Sequence, residues 1–138
     1  MLVAPSFGAC IALLAALPGA AAEPMLTLEL NKLEPRGADC RAYFRVENRS
    51  PEVYRSLKAD LYILDPQGVV SKRLAVEFAP LAAHKTLIKT FGVAGTACDR
   101  VGSLLLSDLL ACEGPGGPRE DCLAGIETTS KSTVPFTK

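Results

Sequence analysis

The sequence predicts an all-β protein: an antiparallel β-sandwich of about seven strands, stapled by disulfides. Three observations carry that expectation. Short runs of alternating apolar and polar residues recur along residues 25–130. Turn residues separate them at close intervals. Four cysteines follow an apolar leader, which places them in an oxidising compartment.

The leader comes first. Leu2 to Ala22 carries no charged side chain and contains Ile11-Ala12-Leu13-Leu14-Ala15-Ala16-Leu17. Pro18-Gly19 and the small residues Ala20-Ala21-Ala22 follow, so residues 1–22 read as a secretory signal peptide cleaved before Glu23. A buried N-terminal helix is the competing reading. The apolar run is too short to span a bilayer, and Cys10 precedes that run, so it is discarded with the signal and is no lipid anchor. Residues 23–138 then form one domain, periplasmic or secreted, with no second membrane-spanning run.

Strand signals follow in order. Leu26, Leu28 and Leu30 alternate along 25–30, and Pro35 to Asp39 turns the chain. In 40–47, Cys40, Ala42, Phe44 and Val46 share one face, while Arg41, Arg45 and Glu47 point away. Asn48-Arg49-Ser50-Pro51 ends that strand; it matches a glycosylation sequon, but the proline speaks against modification. Leu57, Ala59, Leu61 and Ile63 share a face in the next run. Asp65-Pro66-Gln67-Gly68 then has the composition of a type I turn. Leu74, Val76 and Phe78 face inward on the return, so 57–78 reads as a hairpin. After the connection 80–85, Thr86 to Val93 is a strand rich in β-branched and aromatic residues. Residues 99–112 fit a short helix through Val101, Leu104, Leu105 and Leu109, but Gly102 and Leu104-Leu105-Leu106 favour a strand. Ile126 to Ser130 is the last strand candidate.

The stretch 40–91 also resembles the FxLyD-type immunoglobulin-like modules of bacterial envelope proteins. In these, a strand ending in Asn-x-Ser leads to an apolar strand that closes in Asp-x-x-Gly. Asn48, Ser50, Leu61, Tyr62, Asp65 and Gly68 are the matching residues. Leu61-Tyr62-Ile63-Leu64-Asp65 replaces a compact Leu-Tyr-Asp, and the four cysteines lie outside the pattern. The chain is also similar to small exported proteobacterial proteins of unknown function. The FxLyD-type resemblance implies that the sandwich is immunoglobulin-like, and neither resemblance carries a catalytic residue.

Cys40, Cys98, Cys112 and Cys122 lack the paired C-x-x-C spacing of a metal or redox site, so two structural disulfides are expected and no metal. Three pairings are possible. Cys40–Cys98 with Cys112–Cys122 is favoured, because glycines and prolines in CEGPGGPREDC bend that loop back on itself. Chain entropy gives the short loop roughly 3 kcal/mol and the longer one about 4 kcal/mol.

Composition excludes other classes. Fifteen basic residues balance fifteen acidic ones, no basic run occurs, and Trp is absent, which argues against nucleic acid. The lone His84 sits in a turn with no nucleophile-elbow serine, no phosphate-binding glycine loop is present, and no cofactor is expected. The expectation is therefore a non-enzymatic module that binds another envelope protein. Its contact surfaces are the loops 48–56 and 113–121, with Glu113, Arg119, Glu120, Asp121, Arg49 and Arg55 as contact residues. Arg45, Arg49, Arg55 and Lys58 suggest one mildly basic edge. The alternative is an inhibitor or accessory factor that presents the closed loop 112–122 to an enzyme.

Overall fold

A computed structural model describes residues 1–6, 8–18 and 24–138. Residues 1–6 and 8–18 are exposed and form no helix or strand. The expected cleavage point before Glu23 lies outside the described residues, and no described helix is long and apolar enough to cross a membrane.

The strands are β1 (Leu26–Arg36), β2 (Asp39–Asn48), β3 (Ser56–Leu64), β4 (Val70–Glu77), β5 (Thr86–Val93), β6 (Ser103–Gly114), β7 (Gly117–Pro118), β8 (Ile126–Ser130) and β9 (Phe136–Thr137). They form two sheets, ordered β5-β2-β1-β8 and β4-β3-β6-β7, with β9 also on β6. Seven strands of five or more residues carry the sandwich, as the sequence predicts. The sheets are mixed, however. β8 runs parallel to β1 from Leu26↔Ile126 to Leu30↔Ser130, and β9 runs parallel to β6. The chain reaches β8 only after crossing into the other sheet, and such long returns permit parallel pairing where tight turns do not.

The predicted faces are the buried ones. Cys40, Ala42, Phe44 and Val46 of β2 face Leu57, Ala59, Leu61 and Ile63 of β3 across the core, all nearly inaccessible. Phe44 meets Phe78, Phe91 and Phe136 edge-on at 5.3, 5.8 and 5.4 Å, which ties both sheets together. Each such contact adds about 0.5–1.5 kcal/mol beyond area burial. The cavity among Phe44, Leu61, Ile63, Phe91 and Leu104 is about 10 Å³, roughly room for one water.

The turn after β3 forms as its residues dictate. The Gly68 amide donates to the Asp65 carbonyl at 2.9 Å, and the Asp65 carboxylate accepts from the amides of Gln67 and Val69. Gly68 sits at φ 81°, open to glycine at little cost. Residues 103–114 are strand, and helical backbone between β5 and β6 is confined to a 3-10 turn at Cys98–Arg100. Gly102 explains the choice. A Cβ there would lie 2.2 Å from the Asp65 carbonyl oxygen, so the chain passes flush against the hairpin turn.

Both favoured disulfides are present, Cys40–Cys98 and Cys112–Cys122. Cys40 lies on the core side of β2 as expected, but its partner sits in the 3-10 turn rather than on a strand. This bond anchors the crossing from the first sheet to the second.

Candidate functional site

The stretch 112–122 starts as the end of β6 and doubles back. Glu113 and Gly114 pair with Pro118 and Gly117, and the Arg119 amide donates to the Cys112 carbonyl at 2.8 Å. Pro115 and Gly116 make the bend, and Gly117 holds φ 105°, where a side chain is strained. Asp121 takes φ 62° without being glycine, just before the disulfide closes the loop at Cys122.

The two loops expected as separate surfaces pack as one. The Arg55 amide donates to the Glu113 carbonyl at 2.7 Å. The Arg119 guanidinium lies 4.7 Å from the centre of the Tyr54 ring, a cation–π contact. A Cβ on Gly114 would meet the Val53 carbonyl at 3.2 Å. Arg119 is therefore no solvated loop residue: it is half-buried, and its Nη1 is buried with no hydrogen-bond acceptor. Glu113, Glu120, Asp121 and the Arg55 side chain are exposed around it.

Arg49 stands elsewhere. Its Nε bonds Glu47 at 3.0 Å, beside Arg45, which bonds the same carboxylate at 2.9 Å. The Arg49 and Arg45 guanidinium groups hold the Glu47 carboxyl below its usual range. The basic edge predicted from Arg45, Arg49, Arg55 and Lys58 does not form. Arg45 belongs to β2 and Lys58 to β3, in different sheets, and two of the four cations converge on Glu47.

Asn48 is a buried joint rather than a surface sequon. Its amide nitrogen donates to the carbonyls of Glu52 and Ala82 at 2.8 and 2.9 Å. Its side-chain oxygen accepts from the Ser50 amide and hydroxyl at 3.0 and 2.7 Å. Asn48 is 1 % exposed and fully occupied, which leaves no room for a glycan. Asn48 and Ser50 thus hold the loop 48–56 in shape.

Sequence reasoning missed an open groove of about 690 Å³ beside the closed loop. Leu106, Leu109 and Leu123 line it together with two carboxylates, Asp108 and Asp121, and two cations, Arg119 and Lys138. Nothing in the periodicity flags it, because Arg119 and Lys138 reach it only through the tertiary path of the chain. Among the described residues no group of three or more His, Cys, Asp or Glu could hold a metal, and His84 is exposed in its turn at φ 54°.

No family model matches the chain, and no curated protein matches it. Among solved structures the chain is similar to IrmA from Escherichia coli, at 14 % identity and a TM-score of 0.55, over 77 % of this chain and 92 % of that one. At that identity the likeness bears on the fold alone.

Proposed function

We propose that this chain is an exported, non-enzymatic interaction module that binds another protein of the cell envelope. One observation carries the reading. Loops 48–56 and 112–122, far apart in sequence, are locked into a single surface by Arg55–Glu113, Arg119–Tyr54 and the Cys112–Cys122 bond. A surface ordered before it meets a partner loses little conformational entropy on binding. Export, with residues 1–22 as a cleaved signal peptide, is supported by the uncharged leader and by two disulfides. The FxLyD-type resemblance of residues 40–91 supports an envelope setting. An inhibitor that inserts its 112–122 loop into an enzyme fits less well, because Arg119 folds back onto Tyr54 instead of projecting outward.

The test is crosslinking of the native protein in its own envelope, followed by native and denaturing mass spectrometry. A chain starting near Glu23, four hydrogens lighter than its reduced form and crosslinked through residues 48–56 or 112–122, is the expected result. A retained leader, free thiols, or crosslinks scattered over the whole surface would overturn the reading.

A further inference from the structure

Each disulfide pairs an enclosed cysteine with a half-buried one. Cys40 is 0 % exposed and Cys112 9 %, whereas Cys98 and Cys122 are half-buried beside open hollows of about 420 and 690 Å³. A thiolate from solution therefore attacks at Cys98 or at Cys122, and the enclosed sulfur must leave carrying the charge. The two leaving groups differ. Cys40 lies on β2 between β1 and β5, cut off from water, and a thiolate there is a charge buried among apolar side chains. Cys112 lies two residues from the end of β6, next to the exposed bend of the closed loop, and keeps some contact with water.

The bonds also differ in what they hold. Cys40–Cys98 joins positions 58 apart and fixes the crossing between the sheets, so opening it disturbs the core. Cys112–Cys122 joins positions 10 apart at the rim of the second sheet. The closed loop is otherwise held by two β6–β7 rungs, by the Arg119 and Arg55 amides on the carbonyls of Cys112 and Glu113, and by Arg119 on Tyr54. Opening the bond gives freedom back to Gly114, Gly116 and Gly117. It also lets Asp121 leave left-handed backbone, φ 62°, which is costly for a residue with a side chain. Both changes favour the opened form of this bond.

We infer that Cys112–Cys122 is an exchangeable bond, and that opening it releases the surface that loops 48–56 and 112–122 form together. This rests on the interaction reading above and adds the regulation of that same site. The reactant is a dithiol protein of the envelope. One of its thiolates attacks the Cys122 Sγ from the groove and forms a mixed disulfide. The Cys112–Cys122 bond breaks, and its electron pair leaves on the Cys112 Sγ, which takes a proton from water. The second thiol of the reactant, deprotonated, attacks its own sulfur in the mixed disulfide and frees Cys122 as a thiol. The dithiol ends as a disulfide, and the pair 112–122 ends as two thiols. Arg119 then loses the closure that holds it on Tyr54, and the loop no longer meets a partner in one fixed shape.

The probe is dithiothreitol, added to the intact oxidised protein, with timed samples alkylated and mapped by peptide mass. Cys112 and Cys122 are expected to be labelled about tenfold faster than Cys40 and Cys98, before the sandwich unfolds. Reduced glutathione, a monothiol, should be trapped on Cys122 and not on Cys112. In nitrogen-15 protein opened at this bond, the Arg55 and Arg119 amides should exchange with solvent about tenfold faster, while amides of β2 and β3 keep their rates. The variant Cys112→Ser, Cys122→Ser should show the same fast amides; if it does not fold, the time course on the parent still decides. Labelling of all four cysteines together, glutathione on Cys98 or Cys112 first, or unchanged Arg55 and Arg119 amides would each overturn the inference. Envelope crosslinks through 48–56 and 112–122 that are equal in closed and opened protein would sink it and leave the interaction reading standing. Selective opening with crosslinks scattered in both forms would overturn the interaction reading, and this regulation with it.

Discussion

Lys72 and Lys89 cross the same side of the sandwich in opposite directions. Lys72 lies on β4 opposite the buried Ile63, and its ammonium donates to the carbonyl of Ala94, just past β5. Lys89 lies on β5 opposite the buried Phe44, and its ammonium reaches the Ala79 carbonyl, just past β4, at 3.5 Å. β4 and β5 are edge strands of the two sheets. A charge on the inward face of an edge strand must be buried if another sheet joins it, so these lysines guard both edges.

The double variant Lys72→Val, Lys89→Val removes that guard and leaves Val70 and Ile88, already half-exposed, beside apolar edges. We expect it to fold and to associate as concentration rises, where the parent does not. Sedimentation velocity over a hundredfold concentration range checks this. A monodisperse variant would show that the lysines do no such guarding.

The two disulfides should differ in weight. Replacing Cys40 and Cys98 by serine should cost about 4 kcal/mol, and replacing Cys112 and Cys122 about 3 kcal/mol, from chain entropy alone. The first pair should cost still more, because Cys40 is fully enclosed and Cys40→Ser would bury a hydroxyl in its place. Urea unfolding of each double variant gives the order. The reverse order would mean that the native loop 112–122 is worth more than its closure entropy.

Asn48→Ala should cost at least roughly 3 kcal/mol. It strips acceptors from the Ser50 amide and hydroxyl and a donor from two carbonyls, in a joint at 1 % exposure, and each buried group left unpaired costs about 1–3 kcal/mol. A loss under about 1 kcal/mol would show that water replaces the side chain.

Acid should weaken the fold through Asp60. Arg73 binds its carboxylate with two bonds, at 2.7 and 2.9 Å, and stands over the Tyr62 ring. The hydrogen bonds and charge of Arg73 hold the Asp60 carboxyl below its usual value, against the opposing effect of burial. A depressed carboxyl contributes stability that is fully present above the unfolded value near 4 and is lost as pH falls through the folded one. Urea midpoints measured from pH 7 to pH 2 should therefore fall below about pH 4, and less steeply in Asp60→Asn. Glu47 and Glu34, depressed by Arg49 and Lys32, keep a residual slope in that variant. Parallel profiles for parent and variant would rule out the Asp60 contribution.

The strands and their inward faces are legible in the chain before it folds. Phe44 and Val46 against Arg45 and Glu47, or Leu61 and Ile63 against Lys58, alternate with the two-residue period of a pleated chain, and burial enforces that period locally. The Asp65–Gly68 turn and the Cys112–Cys122 closure are legible too, because their partners are close along the chain. The rest is settled in three dimensions. Whether β8 lies parallel to β1, whether Arg119 covers Tyr54, and whether Asn48 is a joint or a surface group all depend on segments tens of residues apart. The groove beside the closed loop belongs to the same class. Its lining comes from β6, from 119–124 and from Lys138, and no local pattern of residues encodes the meeting of such distant segments.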